Sequence, residues 1–286
     1  MSQYAIEVTD LRKNYGETEA VRGISFAVGR GEVFGLLGPN GAGKTTTVEI
    51  LEGYRERSAG EVAVLGEDPG HASRGLRERL GIVLQSSGFY PRVTVREAVL
   101  HWSHLYPASL DPAEVIDLVG LGEKADTRTA QLSGGQRRRL DLALALIGDP
   151  ELIFLDEPTT GFDPAARRAA WGVIRALGDM GKTVLLTTHY LDEAQALADR
   201  VAIVKDGVIV AEGPPAELGV GGATYRVAFD DGDGGRVELE TEDPTELLHR
   251  LTGEALARGE RVQGLTVTRP TLEEVYLQLT DVDEPE

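Results

Sequence analysis

The chain has 286 residues, 41% of them apolar and 27% charged, which predicts a folded globular protein of one large domain or a main domain with a small appendage. A formal charge of -18 with few basic clusters excludes the electrostatic footprint of a nucleic-acid binder. The absence of cysteine excludes disulfides and thiolate metal sites, and no stretch reaches the roughly 20 apolar residues of a spanning helix.

In chain order, "MSQYAIEVTD" carries no basic and apolar secretion segment. "YAIEVTDL", "GISFAVGRGEV" and "GEVAVLGEDP" alternate apolar and polar residues between Gly, Asp and Pro, which predicts a small antiparallel sheet. "VFGLLG" is a continuous apolar run leading into "GPNGAGKT". Thr45 to Tyr54 then reads as a helix with Val48 and Leu51 on one face.

Gly38 to Thr45 matches G-x-x-x-x-G-K-[ST] in full, in a strand-loop-helix context. Its backbone N–H groups would point at phosphate oxygens, and the helix N-terminus would add its positive end. Lys44 would reach the outer phosphates and Thr45 would hold Mg2+.

"LGIVLQ" at Leu80, "LIFLD" at Leu152 and "TVLLTTH" at Thr183 have the composition of buried parallel strands. Between the first two, "TVREAVLHWSHLY" and "DPAEVIDLVGLG" read as helices opened by Thr or Asp, so Pro91 to Leu132 forms a helical insert in an α/β core. Gln85 and His189 end two of the strand runs, where open α/β sheets bind ligands, although a lone polar residue there is as readily a solvated one.

Ser133 to Gln136 is a capping box at a glycine-flanked helix start, a feature compatible with an anion site. Arg137, Arg138 and Arg139 occupy consecutive helical positions and cannot share one face, which reads as a solvated surface. "ELIFLDEP" ends a buried strand in Asp156, which would hold Mg2+ through water, and Glu157, which would polarise an attacking water.

"VAIVKDGVIVAEGPPAEL" carries a hairpin signal at Asp206-Gly207. A Gly/Pro stretch follows, and we expect a domain boundary at about 218 to 223. Beyond it, two strands around an Asp/Gly turn, a helix over "PTELLHRLTGEALARG", a strand and a last helix make a small α+β unit.

Together these motifs resemble the ATP-binding subunits of ABC transporters over roughly Tyr4 to Leu218. "GPNGAGKTTT", with Gly38, Pro39, Asn40, Gly41, Ala42, Gly43, Lys44, Thr45 and Thr46, looks like their Walker A loop, Gln85 like their Q-loop and "LSGGQ" like their signature. "LIFLDEP" looks like Walker B, His189 like the switch histidine, and "TTGFDP" like the D-loop with Asp163, although Phe162 stands where leucine is usual. Tyr15 falls where the family places an aromatic residue on adenine.

The resemblance implies an α/β, P-loop NTPase fold: an ABC ATPase core with an antiparallel β-subdomain and a helical subdomain, plus a small α+β C-terminal domain. The expected bounds are 1–218 for the ATPase domain, about 86–147 for its helical subdomain and 223–286 for the appendage. It implies Mg-dependent ATP hydrolysis with Glu157, His189 and Gln85 as catalytic residues, ATP and Mg2+ as cofactors, and Thr45, Gln85 and Asp156 around the metal.

It also implies two subunits packed head to tail, so that Leu132, Ser133, Gly134, Gly135 and Gln136 of one act on the ATP held by the other's Lys44. The simplest such assembly is a homodimer.

"LQSSGFYPRVTVREAV" and "RPTLEEVYLQLT" resemble the ABC-2 type exporters more narrowly, including drug- and antibiotic-resistance ATPases of the daunorubicin-exporter kind. That likeness implies a separate membrane permease docked on about residues 86–130, a place at the cytoplasmic face of the membrane, and no nucleic acid partner. Two alternatives stand beside it: a non-transport ABC ATPase acting on a macromolecular complex, and a module in which ATP only holds a complex together. Retained Glu157 and His189 speak against the second of these.

Overall fold

The computed structural model describes residues 2–83, 91–218, 225–231, 235–268, 272–273 and 276. Its contacts divide the chain into two units, Met1–Glu212 and Gly213–Glu286. Glu212 stands just before Pro214-Pro215, so this division falls upstream of the boundary expected at 218 to 223.

In chain order the first unit comprises β1 (Tyr4–Tyr15), β2 (Thr18–Gly29), β3 (Val33–Leu37), α1 (Lys44–Leu51), β4 (Ala59–Val64), α2 (Arg74–Glu78), β5 (Leu80–Val83) and α3 (Val95–Ser103). It continues with α4 (Pro112–Leu118), α5 (Gly134–Leu146), β6 (Leu152–Asp156), α6 (Pro164–Asp179), β7 (Thr183–Thr188), α7 (Leu191–Leu197), β8 (Arg200–Lys205) and β9 (Val208–Gly213), whose last residue opens the second unit. The antiparallel sheet expected from the alternating segments has the order β2-β1-β4. Its first hairpin is longer than that pattern suggests, with Tyr15 paired to Thr18 across a two-residue turn.

The second sheet has six strands in the order β5-β6-β7-β3-β8-β9. Every residue of β3, β6 and β7 is buried, as parallel strands covered on both faces require. Alternation along β6 assigns the two covers. Ile153 and Leu155 pack with the buried residues of α3, α4, α5 and α6, whereas Leu152 and Phe154 pack with β1, β2, β4 and α1. The α/β core therefore carries the helical insert on one side and the antiparallel sheet on the other.

The insert has the caps that its sequence advertises. The Thr94 hydroxyl accepts from the Glu97 N–H at 3.2 Å while the Glu97 carboxylate accepts from the Thr94 N–H at 2.8 Å, and Asp111 caps α4 from the residue before Pro112. No described helix is long and apolar enough to cross a membrane.

The second unit contains β10 (Tyr225–Asp230), β11 (Arg236–Thr241), α8 (Pro244–Ala257) and β12 (Thr266–Thr268). Its sheet order is β11-β10-β12, with antiparallel pairs. Most of the last helix expected from "TLEEVYLQLT" lies outside the described residues, but Leu272, Glu273 and Tyr276 are helical.

Candidate active site

The order β6-β7-β3 decides which strand ends meet. Asp156 pairs with Thr187 and Leu37 with Thr188 in parallel register, so the last residues of three strands lie side by side at the carboxyl end of the sheet. The glycine loop follows β3, Glu157 follows β6 and His189 follows β7. The Gly38 N–H donates to the Thr188 carbonyl at 3.3 Å, which ties the loop to the neighbouring strand.

Gly43 caps α1 with φ of +100°, and a Cβ there would lie 2.5 Å from the Ala20 carbonyl oxygen; only glycine fits both constraints. No side chain caps this helix. Its first N–H groups and its positive end thus face the loop, the arrangement that suits an anion. The helix ends at Leu51, three residues before the expected Tyr54, because Gly53 turns to φ of +79°.

Lys44 is buried, and its Nζ donates to the Gly38 and Pro39 carbonyls at 2.7 and 3.0 Å. Burial pulls the ammonium below its usual range, and the charges of Glu157 and Asp156 oppose that shift.

Across the loop, the Thr45 hydroxyl lies 3.4 Å from Asp156 Oδ2, and the Thr187 hydroxyl donates to Asp156 Oδ1 at 2.5 Å. Burial pushes the Asp156 carboxyl up, while the Thr187 bond holds it down.

Glu157 adopts φ of +46°, a left-handed conformation that is uncommon for a non-glycine residue. Its N–H donates to the Thr187 carbonyl at 3.2 Å and to the Thr187 hydroxyl at 3.0 Å, so the strained residue is anchored from β7. Its side chain is held at both oxygens. His189 Nδ1 is 3.3 Å from Oε1, and the Thr160 hydroxyl donates to Oε2 at 3.2 Å.

Thr187 organises both acids. The motifs do not name it, although its place two residues before His189 on a strand adjoining "LIFLDE" is the signal that finds it.

Ser133 makes both bonds of its capping box: its Oγ accepts from the Gln136 N–H at 3.2 Å, and its own N–H donates to Gln136 Oε1 at 2.9 Å. Among the described residues no atom lies within 4 Å of a Cβ built at Gly134. A groove of about 920 Å³ is lined by Ser133, Gly134, Gly135, Glu157, Phe162 and Asp163. Asp163 caps α6 by accepting from the Ala165 and Ala166 N–H groups, both at 2.9 Å.

One expectation is corrected. Arg138 is not a solvated residue: it reaches back from α5, and its guanidinium donates to the Asp156 carbonyl at 2.7 Å and to the Pro158 carbonyl at 3.4 Å. Arg139 likewise donates to the Gly120 carbonyl at 2.8 Å. Three consecutive arginines point three ways, and each finds carbonyls where its direction meets the chain; Arg137 donates to Leu132 at 3.1 Å.

Tyr15, 41% exposed, stands apart from these bonds, with Lys13 and Arg55 over its ring at 5.1 and 5.3 Å. Gln85 lies outside the described residues.

Glu52, at the C-terminal end of α1, is a further acid near this cluster. Burial, with the charges of Asp156 and Glu49, raises its carboxyl to about 8. A folded-state value above the unfolded one means that the folded chain binds the proton more tightly. This contribution is complete below the unfolded value of 4.5 and is lost as pH rises to about 8. Glu52→Gln is expected to flatten the fall in thermal stability over that window, as melting temperatures of the two proteins at a series of pH values would show; parallel curves would refute it.

An ABC transporter family model matches residues 21–160. The chain is 38% identical over 304 aligned positions to Nod factor export ATP-binding protein I of Rhizobium sp. (strain N33), covering 98% of each chain. Among solved structures it resembles cbiO1 from Clostridium perfringens, part of the ABC transporter complex cbiONQ, at 28% identity and a TM-score of 0.68 over 76% of this chain and 91% of that one. It also resembles the dimeric post-hydrolysis ATP-binding cassette MJ0796 bound to ADP and Pi, at 25% identity and a TM-score of 0.65 over 73% of this chain and 98% of that one. With these relatives, the ordered motifs and the sheet that gathers them, the chain belongs to the ABC transporter family as one of its ATPase subunits.

Proposed function

We propose that this ATPase subunit powers export through a separate membrane permease, binding ATP on Gly38–Thr46 and hydrolysing it with Glu157 and His189. The observation that carries this reading is the hydrogen-bonded line from Thr45 through Asp156 and Thr187 to Glu157 and His189. Phosphates bound by the loop N–H groups and Lys44 would lie beside that line. Glu157 would accept the proton of a water attacking the terminal phosphorus as the bond to the ADP oxygen breaks, giving ADP and phosphate. His189 would orient the Glu157 carboxylate through their 3.3 Å contact.

A hydroxyl and a carboxylate 3.4 Å apart form an all-oxygen donor set, which fits Mg2+. Thr45 would hold the ion directly and Asp156 through water, with Gln85 completing the set. Bound there, Mg2+ would offset the charge on the terminal phosphate oxygens.

The subunit would act as a homodimer at the cytoplasmic face of the membrane, with the signature of one copy on the ATP of the other. The dimeric likeness to MJ0796 supports that assembly. An appended domain over 223–286 would serve as an accessory to the ATPase domain of 1–218. Export is supported by relatives named for Nod factor export, and a drug, an antibiotic or another hydrophobic compound remains the cargo class we favour.

The test is steady-state phosphate release by the full chain with ATP and Mg2+, alone and with a candidate membrane permease. A rate well above that of Lys44→Ala is expected, and equal rates would overturn the reading.

A further inference from the structure

Among the described residues the buried charged side chains are Lys44, Asp156 and Glu193. The first two belong to the phosphate site. Glu193 is the most deeply buried, at 0% exposure, and nothing above gives it a task. A buried carboxylate costs more than an apolar side chain of the same shape unless its bonds matter.

Those bonds converge on one atom. Glu193 Oε1 accepts from the Thr159 hydroxyl at 2.7 Å and from the Trp171 indole N–H at 3.0 Å, while Oε2 has no hydrogen-bond partner among the described residues. Thr159 is fully buried and lies two residues after Glu157. The turn it belongs to is closed by the Thr160 N–H on the Glu157 carbonyl at 3.3 Å and by the Phe162 N–H on the Thr159 carbonyl at 3.1 Å.

Glu193 itself lies four residues after His189, on α7. A second contact runs alongside. Arg167, one turn before Trp171 on α6, places its guanidinium 4.5 Å from the Tyr190 ring centroid, and that ring lies 4.1 Å from the His189 ring.

We propose that Glu193 is a positioning residue for ATP hydrolysis: by accepting the Thr159 hydroxyl it locks the turn that carries Glu157 to the helix that follows His189, and so holds those two side chains together. This rests on the assignment of Glu157 and His189 as the hydrolytic pair. The Trp171 indole N–H reaches the same oxygen from α6 and ties α7 to α6, not to the Glu157 turn.

The two donors separate positioning from stability. In the full chain, Thr159→Val and Trp171→Phe each remove one hydrogen bond to Oε1, and both are expected to lower the melting temperature. Thr159→Val is expected to lower kcat for ATP about tenfold, the effect of one lost bond, with KM unchanged; Trp171→Phe is expected to keep the wild-type kcat. Glu193→Gln, which retains an acceptor oxygen, should preserve most of kcat, and Glu193→Leu should lose as much as Thr159→Val, with no further loss in the double variant.

A wild-type kcat in Thr159→Val, or equal losses in Thr159→Val and Trp171→Phe, would overturn the proposal while leaving Glu157 in place. Full hydrolysis by Glu157→Gln would instead overturn the assignment beneath it.

Discussion

Glu157→Gln is expected to lower ATP hydrolysis by roughly 10²-fold or more, the range for removal of a positioned general base. The amide is nearly isosteric and keeps an oxygen for the Thr160 hydroxyl, while the backbone N–H bonds to Thr187 are untouched. The left-handed turn therefore survives, and what is lost is the basicity that takes a proton from water. ATP affinity, which we assign to the loop amides and Lys44, should be unchanged. Phosphate release measured beside ATP binding on the same protein checks both halves. A variant that binds weakly, rather than one that binds and fails to turn over, would assign Glu157 to binding.

The second large effect concerns the division of labour between subunits. In the proposed homodimer, Lys44→Ala should abolish both sites, and so should Ser133→Arg, which places a long cation at the N-terminus of α5 and removes the hydroxyl that accepts from Gln136. Mixing the two variants creates dimers in which one loop and the opposite signature are both intact. With half of the dimers mixed and one of two sites restored in each, about a quarter of wild-type activity is expected from the two-fold geometry. Recovery measured against each variant alone is the readout; no recovery at any mixing ratio would refute the composite site.

Much of this molecule is legible along the chain, because the features concerned are local. The strand-loop-helix around Lys44, the caps at Thr94, Asp111 and Ser133, and the acid pair ending "LIFLDE" each need only neighbouring residues to supply donors, acceptors or a backbone conformation. The solvated reading of Arg138 fails for the complementary reason. Helical spacing says where a side chain leaves its helix, but not that the Asp156 and Pro158 carbonyls lie within its reach.

What the sequence by itself determined is the inventory: a phosphate loop, two acids at a strand end, a capped glycine turn and a histidine, each set by the conformational needs of a few adjacent residues. Tertiary structure decided their company. The pairing of β7 between β6 and β3 sets Thr187 on Asp156 and Glu157, brings His189 to 3.3 Å from Glu157 and buries Glu193 against Thr159. Strand order and register arise from burying both sheet faces at once, a condition on the whole core that no local pattern contains.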